Sequence, residues 1–204
     1  MQPTTTAPAR LVLASTSPSR RSILENAGVQ PVIAPADVDE DAIIAELQGE
    51  RAPAIVQALS RAKAAAQAPK YPNDVVIGCD SMLLLDGQLQ GKPHTIAKTI
   101  ERWHKQRGKT ATLLTGHTVI YGEQTYSEVS ETTIVFAKAN DIDIQRYAES
   151  GEPLACAGAF TLEALGGWFI DSIQGDPSSV IGLSLPVLRR ALEEFGLRVS
   201  DFWA

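Results

Sequence analysis

A chain of 204 residues, 44% hydrophobic and 21% charged, has the size and make-up of one large globular domain, or two closely joined lobes, with a full core. Its net charge of −6 argues against general binding to nucleic-acid polymers or anionic membranes, so any polyanion site has to be local. No apolar run approaches the ~18 residues of a membrane span, and Met1 to Pro8 lacks the apolar core of a signal peptide. The two cysteines, Cys79 and Cys156, have no second Cys or His at metal spacing and read as buried, reduced thiols of a cytoplasmic protein. A flexible tail at residues 1–9 and a single folded domain at 10–200 are expected.

In chain order, Leu11 to Ala14 reads as a buried strand that runs straight into a helix start. Ser17 suits the N-cap and Pro18 the first helical position, with the helix ending at Gly28. The hydroxyls of Ser15 and Ser17, the Arg20 guanidinium and the first N–H groups of this helix form a candidate anion site; a capped surface helix with solvated arginines is the plainer alternative. Val32 to Ala34 is a second strand, followed by the acids Asp37 to Asp41 and a short helix through Leu47. Pro53 to Ala68 has the apolar spacing of an amphipathic helix, with Lys63 at the edge of its stripe.

Val75 to Asp80 is an apolar strand ending in a carboxylate, and it continues through Leu85 to the hairpin turn Asp86-Gly87. Counting back from that turn pairs Leu85 with Gln88, Ser81 with Lys92 and Asp80 with Pro93. Thr95 caps a helix to Arg107, and Thr110 to Ile120 and Tyr126 to Ala137 read as two long antiparallel strands. A helix at Asp141 to Ser150, a small-residue segment at Cys156 to Phe160, a late strand at Trp168 to Ile173 and a helix from Gly182 to Phe195 complete the chain. Helices interspersed with strands favour a mixed α/β sheet with two lobes around a cleft.

Hydroxyls and Arg20 at the first helix, Lys63 on the third, and Asp80 beside Lys92 add up to a polyphosphate site. Two lysines and an arginine can neutralise a triphosphate, and Asp80 with an acid from Asp39 or Glu40 can hold Mg²⁺ against its oxygens. Taken singly, each has an ordinary explanation as a turn residue, a loop charge or a helix cap. The phosphate-binding loop of Gly-x-x-x-x-Gly-Lys, the dinucleotide fingerprint and the Gly-x-Ser-x-Gly elbow are all missing, and His94, His104 and His117 lack zinc spacing.

Ser15-Thr16-Ser17-Pro18-Ser19-Arg20, Leu59-Ser60-Arg61-Ala62-Lys63, Ile77-Gly78-Cys79-Asp80-Ser81, Gly91-Lys92-Pro93, Gly151-Glu152-Pro153-Leu154, Ala157-Gly158-Ala159-Phe160 and Val180-Ile181-Gly182-Leu183 together resemble the ordered motifs of the Maf family, from about Leu11 to Gly196. The resemblance implies an α/β fold of the inosine-triphosphatase-like kind: an elongated mixed sheet with flanking helices, in one catalytic domain that is commonly a homodimer. It implies a metal-dependent nucleoside triphosphate pyrophosphatase, with Mg²⁺ or Mn²⁺ as cofactor. Asp80 matches the catalytic carboxylate, as general base or metal ligand. Ser15, Arg20, Lys63 and Lys92 match the phosphate-binding positions, and Glu40 an acidic position assigned to metal.

Departures from the family pattern concern the base. Many members carry Arg-Arg where this chain has Ser19-Arg20, Thr where it has Ser81, and Gln where it has Glu163. A Glu accepts hydrogen bonds but cannot donate, so Glu163 disfavours the thymine and uracil pattern that suits Gln. Glu163 resembles the branch acting on 7-methyl-GTP, but that branch usually has Trp at the Ser19 position, and without it a stacking platform is lost. The preferred base stays open, nearer the 7-methyl-GTP type than the dTTP and UTP type. The alternative to an enzyme is a nucleotide-binding regulator of septum formation.

Overall fold

The computed structural model describes residues 9–204, so all of the expected tail but Ala9 lies outside the described residues. Leu11–Leu13 (β1) lies between Val32–Ile33 (β2) and Val75–Leu85 (β3), parallel to both. Thr110–Tyr121 (β5), Gln124–Phe136 (β6) and Ile170–Gln174 (β7) extend the sheet antiparallel, and Gln88–Gln90 (β4) forms a short hairpin with β3. The result is one mixed seven-stranded sheet, ordered β2-β1-β3-β5-β6-β7 with β4 off β3. Its helices are Pro18–Asn26 (α1), Glu40–Glu46 (α2), Ala52–Gln67 (α3), Ile96–Gln106 (α4), Asp141–Glu149 (α5), Pro177–Ile181 (α6) and Leu185–Glu194 (α7). The expected α/β mixed sheet with flanking helices is the fold found. Among the described residues no helix is long and apolar enough to cross a membrane.

Alternation along β3 explains where the core sits. Val75, Ile77 and Cys79 join a cluster with α1 and α7, whereas Leu83 and Leu85, on the same face, join a second cluster around Trp103 of α4 and Ile144 and Tyr147 of α5. Between the two clusters that face turns polar, at Ser81 of β3 and at Thr115 and His117 of β5. On the opposite face Met82 and Leu114 pack against α3. There α3 comes down onto two glycines: a Cβ on Gly78 would stand 2.2 Å from the Ser60 carbonyl oxygen, and one on Gly116 would stand 2.3 Å from that of Val56.

Three expectations are corrected. The Asp86-Gly87 turn sets the expected Leu85–Gln88 pair, but the ladder stops at Leu83–Gln90. Ser81 and Asp80 therefore do not pair with Lys92 and Pro93; their ladder partners are Thr115 and Gly116 of β5. The chain leaves β3 because the Gly91 carbonyl accepts from Arg102 and from the Gly158 N–H, and Pro93 has no N–H to give a ladder. The helix expected from Gly182 to Phe195 is found as α7 and begins at Leu185; a short unexpected helix, α6, precedes it, with Gly182 at φ 129° between the two. Asp176 caps α6 through the Ser178 N–H, and Ser184 caps α7 through the Val187 N–H. The late strand likewise begins at Ile170, because Leu165–Phe169 forms a 3₁₀ turn.

His117 ties α7 to the sheet: its Nε2 accepts the Ser184 N–H at 2.8 Å. Burial, reinforced by the positive charge of Arg20, holds the imidazole neutral, with a pKa lowered from 6.5 to about 4. The unfolded chain takes up this proton below pH 6.5 while the native state refuses it. The associated stability is thus complete above pH 6.5 and declines as pH falls toward 4, by about 3 kcal/mol in all. Urea midpoints measured between pH 7 and pH 4.5 should fall less steeply for His117→Gln than for wild type. Equal slopes would remove His117 from the acid response.

Candidate active site

A cleft of about 480 Å³ opens where β1 meets α1, and most of the residues singled out in the sequence line it: Ser15, Ser17, Ser19, Arg20, Glu40, Lys63, Asp80, Ser81, Lys92 and Glu163, but not Asp39. At its mouth, α1 begins as its cap signals dictate. Ser17 Oγ accepts the Arg20 N–H, and Pro18 occupies the first turn. Because the Ser17 N–H goes to Ser15 Oγ at 3.1 Å, the helix start offers fewer free N–H groups than expected. The Arg20 side chain compensates. Its Nε donates to the Gly182 carbonyl (2.8 Å), one terminal nitrogen to Ser15 Oγ (3.3 Å) and the other to Ser81 Oγ (3.2 Å).

Counting protons shows what remains for a ligand. Ser15 Oγ accepts twice, from Arg20 and from the Ser17 N–H, so its own proton has no partner among the described residues. A guanidinium has five N–H groups and three are used, leaving one on each terminal nitrogen. Both can donate to the oxygens of a phosphate or carboxylate.

Deeper in the cleft, Lys63 reaches across from α3 to β3. Its Nζ lies 2.6 Å from Asp80 Oδ1 and 2.8 Å from Glu40 Oε1. Lys63 is buried rather than snorkelling to solvent, and Asp80 is buried with it. The approach of α3 at Gly78 makes this span possible, since Lys63 follows the helix residue, Ser60, that contacts that glycine by one turn. Glu40 is half-buried, which works against its charge. The Lys63 ammonium, with Lys92 and Arg20 beyond it, outweighs that cost and holds the carboxyl below its ordinary range. Of the adjacent acids Asp39 and Glu40, Asp39 is taken up by capping α2 through the Ala42 N–H. Only Glu40 faces the cleft.

The pair Glu40 and Asp80 suits a hard cation held by one or two carboxylates and completed by water and substrate phosphate oxygens, as Mg²⁺ often is. Among the described residues no group of three His, Cys, Asp or Glu side chains is placed to hold a metal by itself.

Lys92 stands exposed on the strap that leaves β4, held by the two bonds to the Gly91 carbonyl and by the His94 N–H on the Leu154 carbonyl. Opposite it, exposed Glu163 sits on a loop anchored by Glu152. The Glu152 carboxylate accepts from Tyr147 Oη, Thr161 Oγ1 and the N–H groups of Leu165 and Gly166. Partial burial disfavours its charge, but these donors prevail and keep it ionised below the ordinary Glu range. Sequence reasoning passed over Glu152 although it stood in a quoted motif; a Glu that follows a turn glycine and precedes Pro153 was its only signal. Cys156, expected to be buried, is only partly so and lines the cleft wall, while Cys79 is fully buried. Burial raises both thiols to about 11.

A family model described as Maf-like protein matches residues 10–195. The chain belongs to the Maf family. A protein of Corynebacterium aurimucosum named nucleoside triphosphate pyrophosphatase is 69% identical over 195 residues, covering 96% of this chain and 98% of that protein. One of the same name from Corynebacterium efficiens is also 69% identical, over 95% of this chain and 98% of its own. A third, from Nocardia farcinica, is 53% identical, over 95% of this chain and 96% of its own. The residues matched by the family model span the whole described sheet and every residue that lines the cleft.

Proposed function

We propose that this Maf chain hydrolyses nucleoside triphosphates between the α and β phosphates, releasing the monophosphate and pyrophosphate. The observation that carries the reading is the buried Lys63–Asp80 pair, joined by Glu40, within one cleft shared with the free terminal N–H groups of Arg20. The shared name of the relatives at 66–69% identity supports it. In this reading Ser15, Arg20, Lys63 and Lys92 take the phosphates, and their charges oppose the negative charge that grows on departing pyrophosphate. Asp80 Oδ1 is fixed by Lys63, while Oδ2 has no hydrogen bond among the described residues and accepts the proton of the attacking water. A divalent cation such as Mg²⁺ or Mn²⁺, held by Glu40 and Asp80, supplies charge neutralisation and orientation of the phosphate oxygens.

Glu163 reads the base. Its carboxylate accepts from base N–H groups and donates to none, which favours a 7-methyl-GTP-type base over thymine or uracil. The absence of an aromatic at Ser19 leaves stacking to other groups, so selectivity rests more on Glu163. The reading is tested by pyrophosphate release from a panel of canonical and modified triphosphates with Mg²⁺ or Mn²⁺, for wild type and Glu163→Gln. Wild type should turn over at least one purine triphosphate. Glu163→Gln should raise kcat/KM for dTTP or UTP relative to 7-methyl-GTP by about tenfold, the worth of one hydrogen bond. Nucleotide binding with no turnover on the whole panel would instead favour the regulator of septum formation, and an unchanged ratio would take Glu163 out of base reading.

A further inference from the structure

We infer that Thr115, buried beneath the cleft on β5, is a positioning residue that fixes the direction of the Arg20 fork; the inference rests on Arg20 as a phosphate ligand. Thr115 is fully buried and makes two side-chain hydrogen bonds, to the Ser179 carbonyl (2.9 Å) and with Ser81 Oγ (3.0 Å). A hydroxyl has one proton, and a carbonyl can only accept. Thr115 therefore spends its proton on Ser179, and in the second bond it is the acceptor. Ser81 must then donate to Thr115, which turns the lone pairs of Ser81 Oγ toward the Arg20 nitrogen that donates to it at 3.2 Å. Replacing Thr115 with an apolar residue removes that instruction and leaves Ser81 free to rotate its proton toward the guanidinium.

The other end of Arg20 depends on the same side chain. The Thr115 bond to Ser179 holds α6, and α6 ends at Gly182, whose carbonyl accepts from Arg20 Nε. Thr132 on β6 supports this helix too, with its Oγ1 receiving the Asp176 N–H and lying 3.3 Å from Ser179 Oγ. Two of the three acceptors that orient Arg20, Ser81 Oγ and the Gly182 carbonyl, thus trace back to one threonine in the polar seam between the two apolar clusters. No ligand in the cleft needs to touch it, and Thr115 does not line the cleft.

The test is a thermodynamic cycle on the intact chain, read by calorimetric titration of inorganic tripolyphosphate with Mg²⁺, a probe without a base. Arg20→Met should weaken binding, and Thr115→Val should weaken it by about tenfold, the usual consequence of disordering one charged hydrogen-bond donor. Thr115→Ser, which keeps the hydroxyl, should bind within about twofold of wild type. In the Arg20→Met background Thr115→Val should add nothing, because the group it positions is gone. Ser81→Ala, which cuts the relay from the cleft side, provides the same comparison if Thr115→Val folds poorly. Full additivity of the two losses, or normal binding by both Thr115→Val and Ser81→Ala, overturns the positioning role while leaving Arg20 as a ligand. Normal binding by Arg20→Met overturns the phosphate reading and the inference with it.

Discussion

Asp80→Asn should lower pyrophosphate release by about 10³-fold, as expected for loss of a positioned general base. The substitution keeps the shape of the side chain and its bond to Lys63 Nζ, since an amide oxygen can accept where Oδ1 did. What it removes is the ability of the second oxygen to take a proton from water. It also leaves Lys63 with Glu40 as its only anionic partner, so the net charge of the cleft rises by one and affinity for a polyphosphate should hold or increase. Turnover and tripolyphosphate binding measured side by side, with a melting curve as control, separate the possibilities. Unchanged turnover would sink Asp80 as base. A collapse of binding and melting temperature together would mean that the carboxylate holds Lys63 in place and does no chemistry.

Local signals carried most of the fold. Ser17-Pro18 set the start of α1, Asp86-Gly87 set the hairpin, and the apolar run of Val75 to Leu85 marked a strand buried on both faces. The failures lie where distant groups compete for a backbone atom. Nothing near Gly91 announces that Arg102 and Gly158 will claim its carbonyl and pull Lys92 out of the ladder. At five residues α6 was too short to show a helical period. Asp176-Pro177 is nonetheless an N-cap followed by a first-turn proline, a signal that was present and unread.

The candidate site was legible in its charges and illegible in its wiring. Arg20, Lys63, Asp80 and Lys92 each have an ordinary explanation taken singly; together they stand out as a local basic cluster with a carboxylate in an acidic chain. Their meeting in one cleft depends on sheet order, which places β1 beside β3, and on α3, which lies across β3 and β5 at Gly78 and Gly116. The choice between Asp39 and Glu40 is a capping question, answerable only when the start of α2 is known to the residue. Thr115 gave no sign, because a threonine in a threonine-rich strand looks like β-propensity alone.

Gly78→Val should be the most damaging single change in the sheet, lowering stability by about 4 kcal/mol and activity with it. Gly78 has no left-handed backbone requirement; space is what it supplies. A Cβ there would sit 2.2 Å from the Ser60 carbonyl oxygen and 2.6 Å from the Ala64 nitrogen, both backbone atoms of α3 that no rotamer change can move aside. Relief requires lifting α3 from the sheet. Because Lys63 lies between those two contacts, the same displacement draws its ammonium away from Asp80 and Glu40, leaving carboxylates without their shared counter-ion. Buried charge left unpaired is costly, so packing strain and electrostatic loss act in the same direction. Denaturant midpoints should fall in the order wild type, Gly78→Ala, Gly78→Val. Gly78→Ala should lose turnover out of proportion to its loss of stability, since a shift of about 1 Å at a catalytic cluster can cost 10²-fold. A Gly78→Ala enzyme that is destabilised but fully active would show that Lys63 reaches Asp80 regardless of how closely α3 is seated.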